Sequence, residues 1–253
     1  MALQIGCQLY TVRDLTQQDF PGTVKSVAGI GYRAVELAGF GSLRSAADVR
    51  KVLDDNGLSV AGTHTNLDAL ERSLDRLLDD AQTLGTDTIV LSFLPEHRRK
   101  DLDGWKAAAA TLNHIGRACR GRGIQLAYHH HHFEFQKLDG RYALDILWES
   151  TDPEFLKAEL DTFWIRYGGE DPATYIRRLG SRTVILHLKD VLKGPPVKFG
   201  EVATGILNFA TILAAAEEAG VRWGIVEQDS TYERPPLESL RISFENLRRL
   251  GAV

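Results

Sequence analysis

The strongest constraint on the fold is a regular alternation of short apolar segments with longer amphipathic segments along the chain. Eight short runs rich in apolar and β-branched residues occur at 4–9, 34–37, 59–63, 88–92, 124–129, 156–161, 183–187 and 222–227. Most of the stretches between them carry apolar residues at helical spacing, for example 67–84, 102–120, 172–179 and 209–219. Apolar strands that alternate with helices predict a parallel sheet covered by helices on both faces.

Glycine placement supports the same division of the chain. Six glycines fall between a helical stretch and the next strand, where a left-handed residue often ends a helix: Gly31, Gly57, Gly85, Gly123, Gly180 and Gly220. Eight units of about thirty residues predict an α/β fold, the (β/α)8 TIM barrel, as a single domain over residues 1–253. A doubly wound open sheet is the alternative, although no glycine-rich phosphate motif follows the first strand.

The composition argues against several classes of protein. Apolar residues make up 43% of the 253 residues, charged residues make up 25%, and the formal net charge is −4. Such a chain has no overall basic charge that would attract nucleic acid or an anionic membrane surface. Cys7 and Cys119 are far apart, and no apolar run reaches membrane-spanning length. The N-terminus lacks the layout of a signal peptide, so we expect a cytoplasmic protein.

Residues that could hold a metal follow four consecutive predicted strands. Each strand is apolar until its end and then turns to imidazole or carboxylate, at His129, Asp161, His187 and Glu227. In a barrel these strand ends meet at one face, where functional residues gather. Imidazole and carboxylate together suit Mn²⁺, Co²⁺, Zn²⁺ or Fe²⁺ better than Ca²⁺ or Mg²⁺. Each residue alone also has a structural interpretation, as a hydrogen-bonded histidine or a carboxylate that caps the next helix.

Several strings in the chain carry a resemblance to a known family. LDTFW (160–164), HLKD (187–190), VEQD (226–229) and YHHHHFEF (128–135) resemble the sugar phosphate isomerase/epimerase family of xylose isomerase-like TIM barrels. GCQLYTVRD and GYRAVEL resemble the first two strands of that family, so the resemblance spans nearly the whole chain. It implies a divalent metal held at the ends of strands five to eight. Asp161, His187 and Glu227 match the family's ligands on strands six, seven and eight.

The fifth strand departs from the pattern of many epimerases in this superfamily. Those enzymes have a glutamate there that binds the metal and serves as one of two acid/base groups, whereas this chain has His129 and His131. The resemblance is nearest to a subgroup with a YHNH-type fifth strand, with His130 standing in place of the Asn. We expect His129 to be the fourth ligand, with Glu134 as the second choice. The expected metal is Mn²⁺, with Co²⁺, Zn²⁺, Fe²⁺ or Mg²⁺ as alternatives.

Proton transfer next to a carbonyl is the chemistry that such a metal supports. The metal polarises the carbonyl, so that a nearby carboxylate or imidazole can remove the neighbouring proton. We expect Glu227, Glu159 and His131 to take part in this transfer. Glu159 could instead orient a metal ligand or form a buried pair with Lys189.

Four further side chains are expected to contact the substrate: His64, Glu36, Trp164 and Lys189. Each has an alternative interpretation. His64 and Glu36 could cap loops, Trp164 could pack in the core, and Lys189 could form a surface salt bridge. Two irregular connections, 132–142 and 192–205, follow strands and should lie over the same face of the barrel.

The candidate metal ligands, together with the family resemblance, predict a divalent-metal-dependent isomerase or epimerase that acts on a sugar or keto-sugar. A lyase or dehydratase acting on a keto-sugar, keto-glycoside or keto-inositol is the alternative. Both reactions pass through the enediolate that forms when the proton next to the carbonyl is removed, and the fifth-strand histidine favours elimination. A DNA-repair endonuclease on a similar barrel would need more histidines and a basic surface. A non-catalytic sugar-binding barrel is the remaining hypothesis. The expected substrate is an unphosphorylated carbohydrate, and the resemblance is compatible with a homodimer.

Overall fold

The computed structural model describes residues 3–253, in which eight parallel strands close into a barrel. The strands are β1 (Gln4–Gln8), β2 (Ala34–Leu37), β3 (Ser59–Thr65), β4 (Thr88–Leu91), β5 (Gln125–His129), β6 (Lys157–Asp161), β7 (Thr183–Leu188) and β8 (Trp223–Val226). Each strand pairs with the next, and β8 pairs with β1, where Ile5 lies opposite Gly224. The predicted (β/α)8 barrel is therefore confirmed, and the open-sheet alternative is wrong.

Helices cover the outside of the barrel and connect the strands. They are α1 (Arg13–Gln18), α2 (Phe20–Ile30), α3 (Ala46–Asp55), α4 (Leu67–Arg72), α5 (Leu74–Leu84), α6 (Leu102–Gly121), α7 (Ala143–Ser150), α8 (Thr162–Tyr167), α9 (Pro172–Leu179), α10 (Phe209–Ala219) and α11 (Pro236–Arg249). The stretch 67–84 was expected to be one helix and is two. Its backbone leaves helical geometry at Ser73 (φ −142°, ψ 32°), a residue type that favours helix ends over interiors.

Two of the six predicted helix-ending glycines show the expected geometry most clearly. Gly85 ends α5 and Gly220 ends α10, both in the left-handed conformation with φ of 72°. In both cases the glycine N–H donates to carbonyls of the last helical turn. A left-handed residue at this point stops the helix and turns the chain back toward the next strand.

The barrel interior is filled by side chains in its N-terminal half. A small buried cluster lies there, formed by Ala34, Ala61, Val90, Ala127, Ile185, Trp223 and Ile225. A larger apolar core lies between the sheet and the helices. Because the lower part of the barrel is packed with apolar groups, the polar side chains at the C-terminal strand ends form a separate layer that opens on one face.

Both irregular connections contain a small antiparallel hairpin that follows a barrel strand. One pairs Lys137–Leu138 with Arg141–Tyr142 after β5, and the other pairs Asp190–Leu192 with Lys198–Gly200 after β7. None of the helices among residues 3–253 combines the length and the apolar character needed to cross a membrane.

Candidate metal centre

The structure brings together the four residues expected to hold a metal. His129 and Asp161 are the last residues of β5 and β6, His187 lies in β7, and Glu227 directly follows β8. All four are buried, and one potential ligand atom from each lies within 4.8 Å of the others. The strand register explains the proximity, because Asp161 is paired directly with His187 across β6 and β7.

Asp161 has two functions in this arrangement. Its Oδ1 accepts hydrogen bonds from the backbone N–H groups of Phe163 (2.8 Å) and Trp164 (3.1 Å) at the start of α8. Its Oδ2 lies 2.8 Å from Nζ of Lys189. Asp161 therefore caps α8 and also belongs to the four-residue cluster, because its two carboxylate oxygens contact different partners.

Lys189 is a buried cation, not a surface one. Its side chain has no exposed area and forms ion pairs with Asp161, Glu227 and Asp229, the last at 2.9 Å. The surface salt bridge expected as an alternative is thus wrong, and so is the pairing of Lys189 with Glu159. Glu159 lies one layer deeper in the barrel, whereas Lys189 follows the end of β7 and reaches only the upper carboxylates.

Glu159 contacts histidines instead. Its Oε1 lies 2.9 Å from Nε2 of His64, 2.9 Å from Nδ1 of His129 and 3.0 Å from Nε2 of His187. Glu36 joins the same group through its Oε2, which lies 2.6 Å from Nε2 of His187. Glu36 and Glu159 are fully buried, and His64 is 12% exposed and reaches the face of the barrel.

The electrostatics of three of the four predicted ligands, Asp161, Glu227 and His129, favour metal-binding protonation states. Burial raises the pKa of Asp161 to about 6, although Lys189 and His187 act in the opposite direction. For Glu227 the same two cations outweigh burial and hold its pKa below the usual range. Burial, followed by the charge of His187, lowers the pKa of His129 well below its usual value. A neutral imidazole and an ionised carboxylate are the forms that bind divalent metals.

The deeper histidines are strongly influenced by carboxylates. Burial alone would lower the pKa of His64, but Glu159 and Glu36 outweigh it and raise that pKa to about 10. His187 responds in the same way, because Glu159, Glu227 and Glu36 raise its pKa well above the usual value despite burial. In return, His64 and His187 hold the pKa of Glu36 well below its usual range, against the effect of burial.

The histidine run divides between two faces. His131 faces the opening and lines the cavity there, and its buried Nδ1 has no hydrogen-bond partner among residues 3–253. His130 is fully buried, and its Nε2 accepts a hydrogen bond from the backbone N–H of Asp161 (3.0 Å). Glu134 lies outside the four-residue cluster, because its oxygens accept from the Tyr128 hydroxyl (2.6 Å) and the His131 backbone N–H (2.8 Å).

A cavity of about 350 Å³ opens at the C-terminal face of the barrel. Its lining combines the histidines and carboxylates of the site with aromatic and small polar residues: Tyr10, Ala38, His64, Thr65, Asn66, Ser92, Phe93, His129, His131, Glu227 and Asp229. Trp164 lies beside the opening, with its ring centroid 5.6 Å from that of His131 and 5.5 Å from that of Phe199 on the second hairpin. The second hairpin therefore borders the site, as expected.

Several of these residues had no assigned role at the level of sequence. Asp229 lies two positions beyond Glu227 and faces the same side, so the alternation of side chains along an extended chain could have identified it. Tyr10 and Phe93 follow β1 and β4 and line the cavity, yet both are exposed aromatic residues that carry no sequence signal of a site.

The donor set fits a divalent metal of the first transition series. Two imidazoles and two carboxylates converge in a buried pocket, a mixture typical of Mn²⁺, Fe²⁺, Co²⁺ or Zn²⁺ sites. The sequence profile of the family described as "Xylose isomerase-like TIM barrel" matches residues 24–250. The chain belongs to the xylose isomerase-like TIM barrel family.

Among structures, a sugar phosphate isomerase/epimerase from Parabacteroides distasonis has a TM-score of 0.83 at 24% identity, and the match covers 100% of this chain and 96% of that one. The IOLI protein with a bound zinc atom has a TM-score of 0.76 at 13% identity, with 98% of each chain covered. These similarities show that this xylose isomerase-like barrel has the same fold as both proteins.

Two relatives by sequence are inosose dehydratases. The protein from Bacillus cereus is 23% identical over 260 residues, which cover 87% of this chain and 86% of that protein. The protein from Mesomycoplasma hyopneumoniae (strain J) is 36% identical over 101 residues, and the match spans only 32% of its length. The proteins that this chain resembles do not share one reaction, because dehydratases and an isomerase/epimerase both occur among them.

Proposed function

We propose that this protein is a divalent-metal-dependent lyase that eliminates water from an unphosphorylated keto-sugar or keto-cyclitol after removing the proton next to the carbonyl. The observation that carries the proposal is the convergence of His129, Asp161, His187 and Glu227 beside a cavity that His131 also lines. The inosose dehydratase from Bacillus cereus, matched over most of both chains, supports elimination as the outcome.

A metal ion held by these four residues would act as a Lewis acid that polarises the substrate carbonyl and makes the adjacent C–H acidic. The protein must then supply a base. His131 is placed for this task because it lines the cavity and its Nδ1 has no hydrogen-bond partner among residues 3–253. Glu227 lines the same cavity and is the second candidate for proton transfer. Glu159, which contacts three imidazoles, orients them.

Elimination also requires a proton for the departing hydroxyl group. Lys189 carries an ammonium group that contacts both Glu227 and Asp229. The proton that the base removes from the carbon can be returned to the leaving hydroxyl, which departs as water, while Lys189 holds Glu227 and Asp229 in place at the cavity. The charge of Lys189 also keeps Glu227 ionised, because it lowers the pKa of that carboxyl.

The cavity favours an uncharged substrate. Of its lining residues, none is lysine or arginine, while Glu227 and Asp229 are both acidic. A phosphate group would be repelled there and would find no bidentate partner. Aromatic groups on Tyr10 and Phe93 and polar groups on Ser92 match the apolar face and the hydroxyl edge of a sugar or cyclitol ring.

Isomerisation or epimerisation is the second candidate function. It needs acid/base groups on two sides of the reacting carbon. Glu227 and Glu159 contact opposite nitrogens of the His187 ring, at 2.8 Å from Nδ1 and 3.0 Å from Nε2 respectively. Two carboxylates placed on two sides of one imidazole support this alternative.

A solvent-isotope experiment tests the proposal. The protein loaded with Mn²⁺ or Co²⁺ is incubated in D₂O with a keto-inositol, with 3-keto-glycosides and with ketohexoses, and the products are followed by NMR and ultraviolet absorbance. We expect loss of water and a new unsaturated ketone chromophore. Deuterium gained without loss of water would instead show isomerisation, and no reaction with any of these substrates would contradict both assignments.

Asp161→Asn tests the metal centre. The amide oxygen can still cap α8, but the anionic ligand is lost, so we expect metal binding to weaken by more than about 100-fold, since losing even an outer hydrogen-bonding partner costs about 10- to 100-fold. Activity should fall with it. Asp171→Asn is the matched control, because Asp171 caps α9 through the backbone N–H of Thr174 and lies outside the cluster. Unchanged metal binding in Asp161→Asn would overturn the assignment.

A further inference from the structure

We propose that Glu36, His64 and Glu159 form a second divalent-cation position, deeper in the barrel than the proposed metal centre and adjacent to it. The proposal rests on the proposed function only through His187, which belongs to the proposed metal centre and also lies beside Glu36, His64 and Glu159. One potential ligand atom each from Glu36, His64, Glu159 and His187 lies within 4.8 Å of the others. The potential ligand atoms of this group therefore lie within the same distance of one another as those of the first centre.

Histidine nitrogens converge on carboxylate oxygens at this position. Oε1 of Glu159 lies within 3.0 Å of nitrogens from three histidines, including Nε2 of His64 at 2.9 Å. Oε2 of Glu36 lies 3.3 Å from Nε2 of His64 and 2.6 Å from Nε2 of His187. Carboxylate and imidazole donors that point at one another from different strands are the arrangement that a metal ion bridges.

Two carboxylate oxygens in the group are left without partners. Oε1 of Glu36 and Oε2 of Glu159 are buried and accept no hydrogen bond from any residue in 3–253. An unpaired buried carboxylate oxygen is costly, and native structures rarely leave one uncompensated. A cation bound between these side chains would compensate both oxygens at once.

The sheet is irregular at both carboxylates. The register between β2 and β3 shifts between Val35 and Glu36, and the register between β6 and β7 shifts between Ala158 and Glu159. Bulges are rare in parallel sheets and re-aim the side chains that follow them. Gly62 leaves room for this arrangement, because a Cβ there would lie 3.0 Å from Oε1 of Glu36.

His187 separates the two positions. Its Nδ1 lies 2.8 Å from Oε2 of Glu227 in the first centre, and its Nε2 faces Glu36 and Glu159 in the second group. A neutral imidazole has one unprotonated nitrogen, so His187 can be a ligand to one cation only. With His187 assigned to the first centre, Glu36, His64 and Glu159 remain as three protein ligands for the second.

Metal stoichiometry tests the proposal. The purified protein is stripped with a chelator and titrated with Mn²⁺ and with Co²⁺, and bound metal is counted by mass spectrometry and calorimetry. We expect two equivalents for the parent protein. Glu36→Gln and Asp161→Asn make the same carboxylate-to-amide change at the two positions, and each should lower the count to one. His64→Gln is the second variant for the deeper position, because it changes a side chain that is partly exposed.

The outcomes distinguish this proposal from the metal centre itself. A parent protein that binds one equivalent, lost in Asp161→Asn and kept in Glu36→Gln, would overturn the second position and leave the first intact. A parent that binds no metal would overturn both. Glu134→Gln is the matched control, because Glu134 is an equally buried glutamate outside both groups, and it should leave two equivalents bound. Far-ultraviolet circular dichroism confirms that each variant is folded.

Discussion

At the scale of single residues, the site is an arrangement of buried charges that compensate one another. Lys189 has no exposed surface, and burial alone would lower its pKa, but Asp161, Glu227 and Asp229 raise that pKa well above the usual value. Removing one member of such a group leaves the other charges buried and unpaired, which typically costs several kcal/mol. The same carboxylates are therefore held in place where the proposed metal centre and the proposed proton transfer require them.

Glu134 permits a prediction about pH. Burial raises its pKa from the ordinary 4.5 to about 7, against its hydrogen bonds from Tyr128 and His131. A raised pKa in the folded state means that stability from this group is fully present below about pH 4.5 and is lost as the pH rises through about 7. The loss amounts to about 3 kcal/mol, from 1.36 kcal/mol per pKa unit.

Glu134→Gln keeps the shape of the side chain and removes its titration. We expect the free energy of unfolding of this variant, minus that of the parent, to be larger at pH 8 than at pH 5 by about 2.5 kcal/mol, from 1.36 kcal/mol per pKa unit. Urea unfolding at the two pH values measures the difference. Glu96→Gln makes the same change at an exposed position and serves as the control. Parallel pH profiles for the parent and Glu134→Gln would contradict the prediction.

At the scale of secondary-structure elements, close packing of α6 against the neighbouring loop depends on Gly116. A Cβ at this position would lie 2.0 Å from the carbonyl oxygen of Phe155 and 2.7 Å from its carbonyl carbon. Backbone atoms cannot move aside as a flexible side chain can, so the helix itself would have to shift. Gly116 is therefore a packing requirement of α6, even though glycine is a poor helix former.

Gly116→Ala should destabilise the protein by about 3 kcal/mol, the upper part of the usual range for overpacked sites. Gly121 lies in the same helix and has nothing within 4 Å of its Cβ position. Gly121→Ala should consequently stabilise the protein by up to about 1 kcal/mol, through helix propensity. Thermal and urea unfolding of both variants measure the contrast, and equal effects at the two glycines would disprove the packing argument.

At the scale of the whole molecule, the fold and the site have separate sources of stability. The apolar interior cluster and the larger core between sheet and helices pack the barrel without any contribution from the metal-binding groups. We therefore expect the metal-stripped protein to keep its secondary structure and to lose activity. The bound ion should act as a ligand of the folded state.

Metal binding should raise the melting temperature by an amount that follows from mass action. At a free metal concentration about 100 times the dissociation constant, the stabilisation is about 2.7 kcal/mol. For a protein of this size that corresponds to roughly 5–10 °C. Differential scanning calorimetry of stripped and Mn²⁺-loaded protein measures the shift. A stripped protein without native circular dichroism would show instead that folding requires the metal.

Local patterns were sufficient to predict the strands and to place four candidate metal ligands at one face of the barrel. Each barrel strand begins and ends within two residues of its predicted position, because short apolar runs and helix-ending glycines are properties of short segments. His129, Asp161, His187 and Glu227 could be grouped from the sequence, because the C-terminal ends of neighbouring parallel strands meet at one face of any such barrel.

The partners of the other charged residues depended on the tertiary structure. The layer in which each side chain lies determines whether Lys189 forms an ion pair with Glu159 or with Asp161. The register shifts before Glu36 and Glu159 alter those layers. A register shift is a relation between two strands, so neither strand encodes it alone. Periodicity along the chain was enough to establish the barrel and the face that carries its chemistry, but only the packed structure could decide which buried cation compensates each carboxylate.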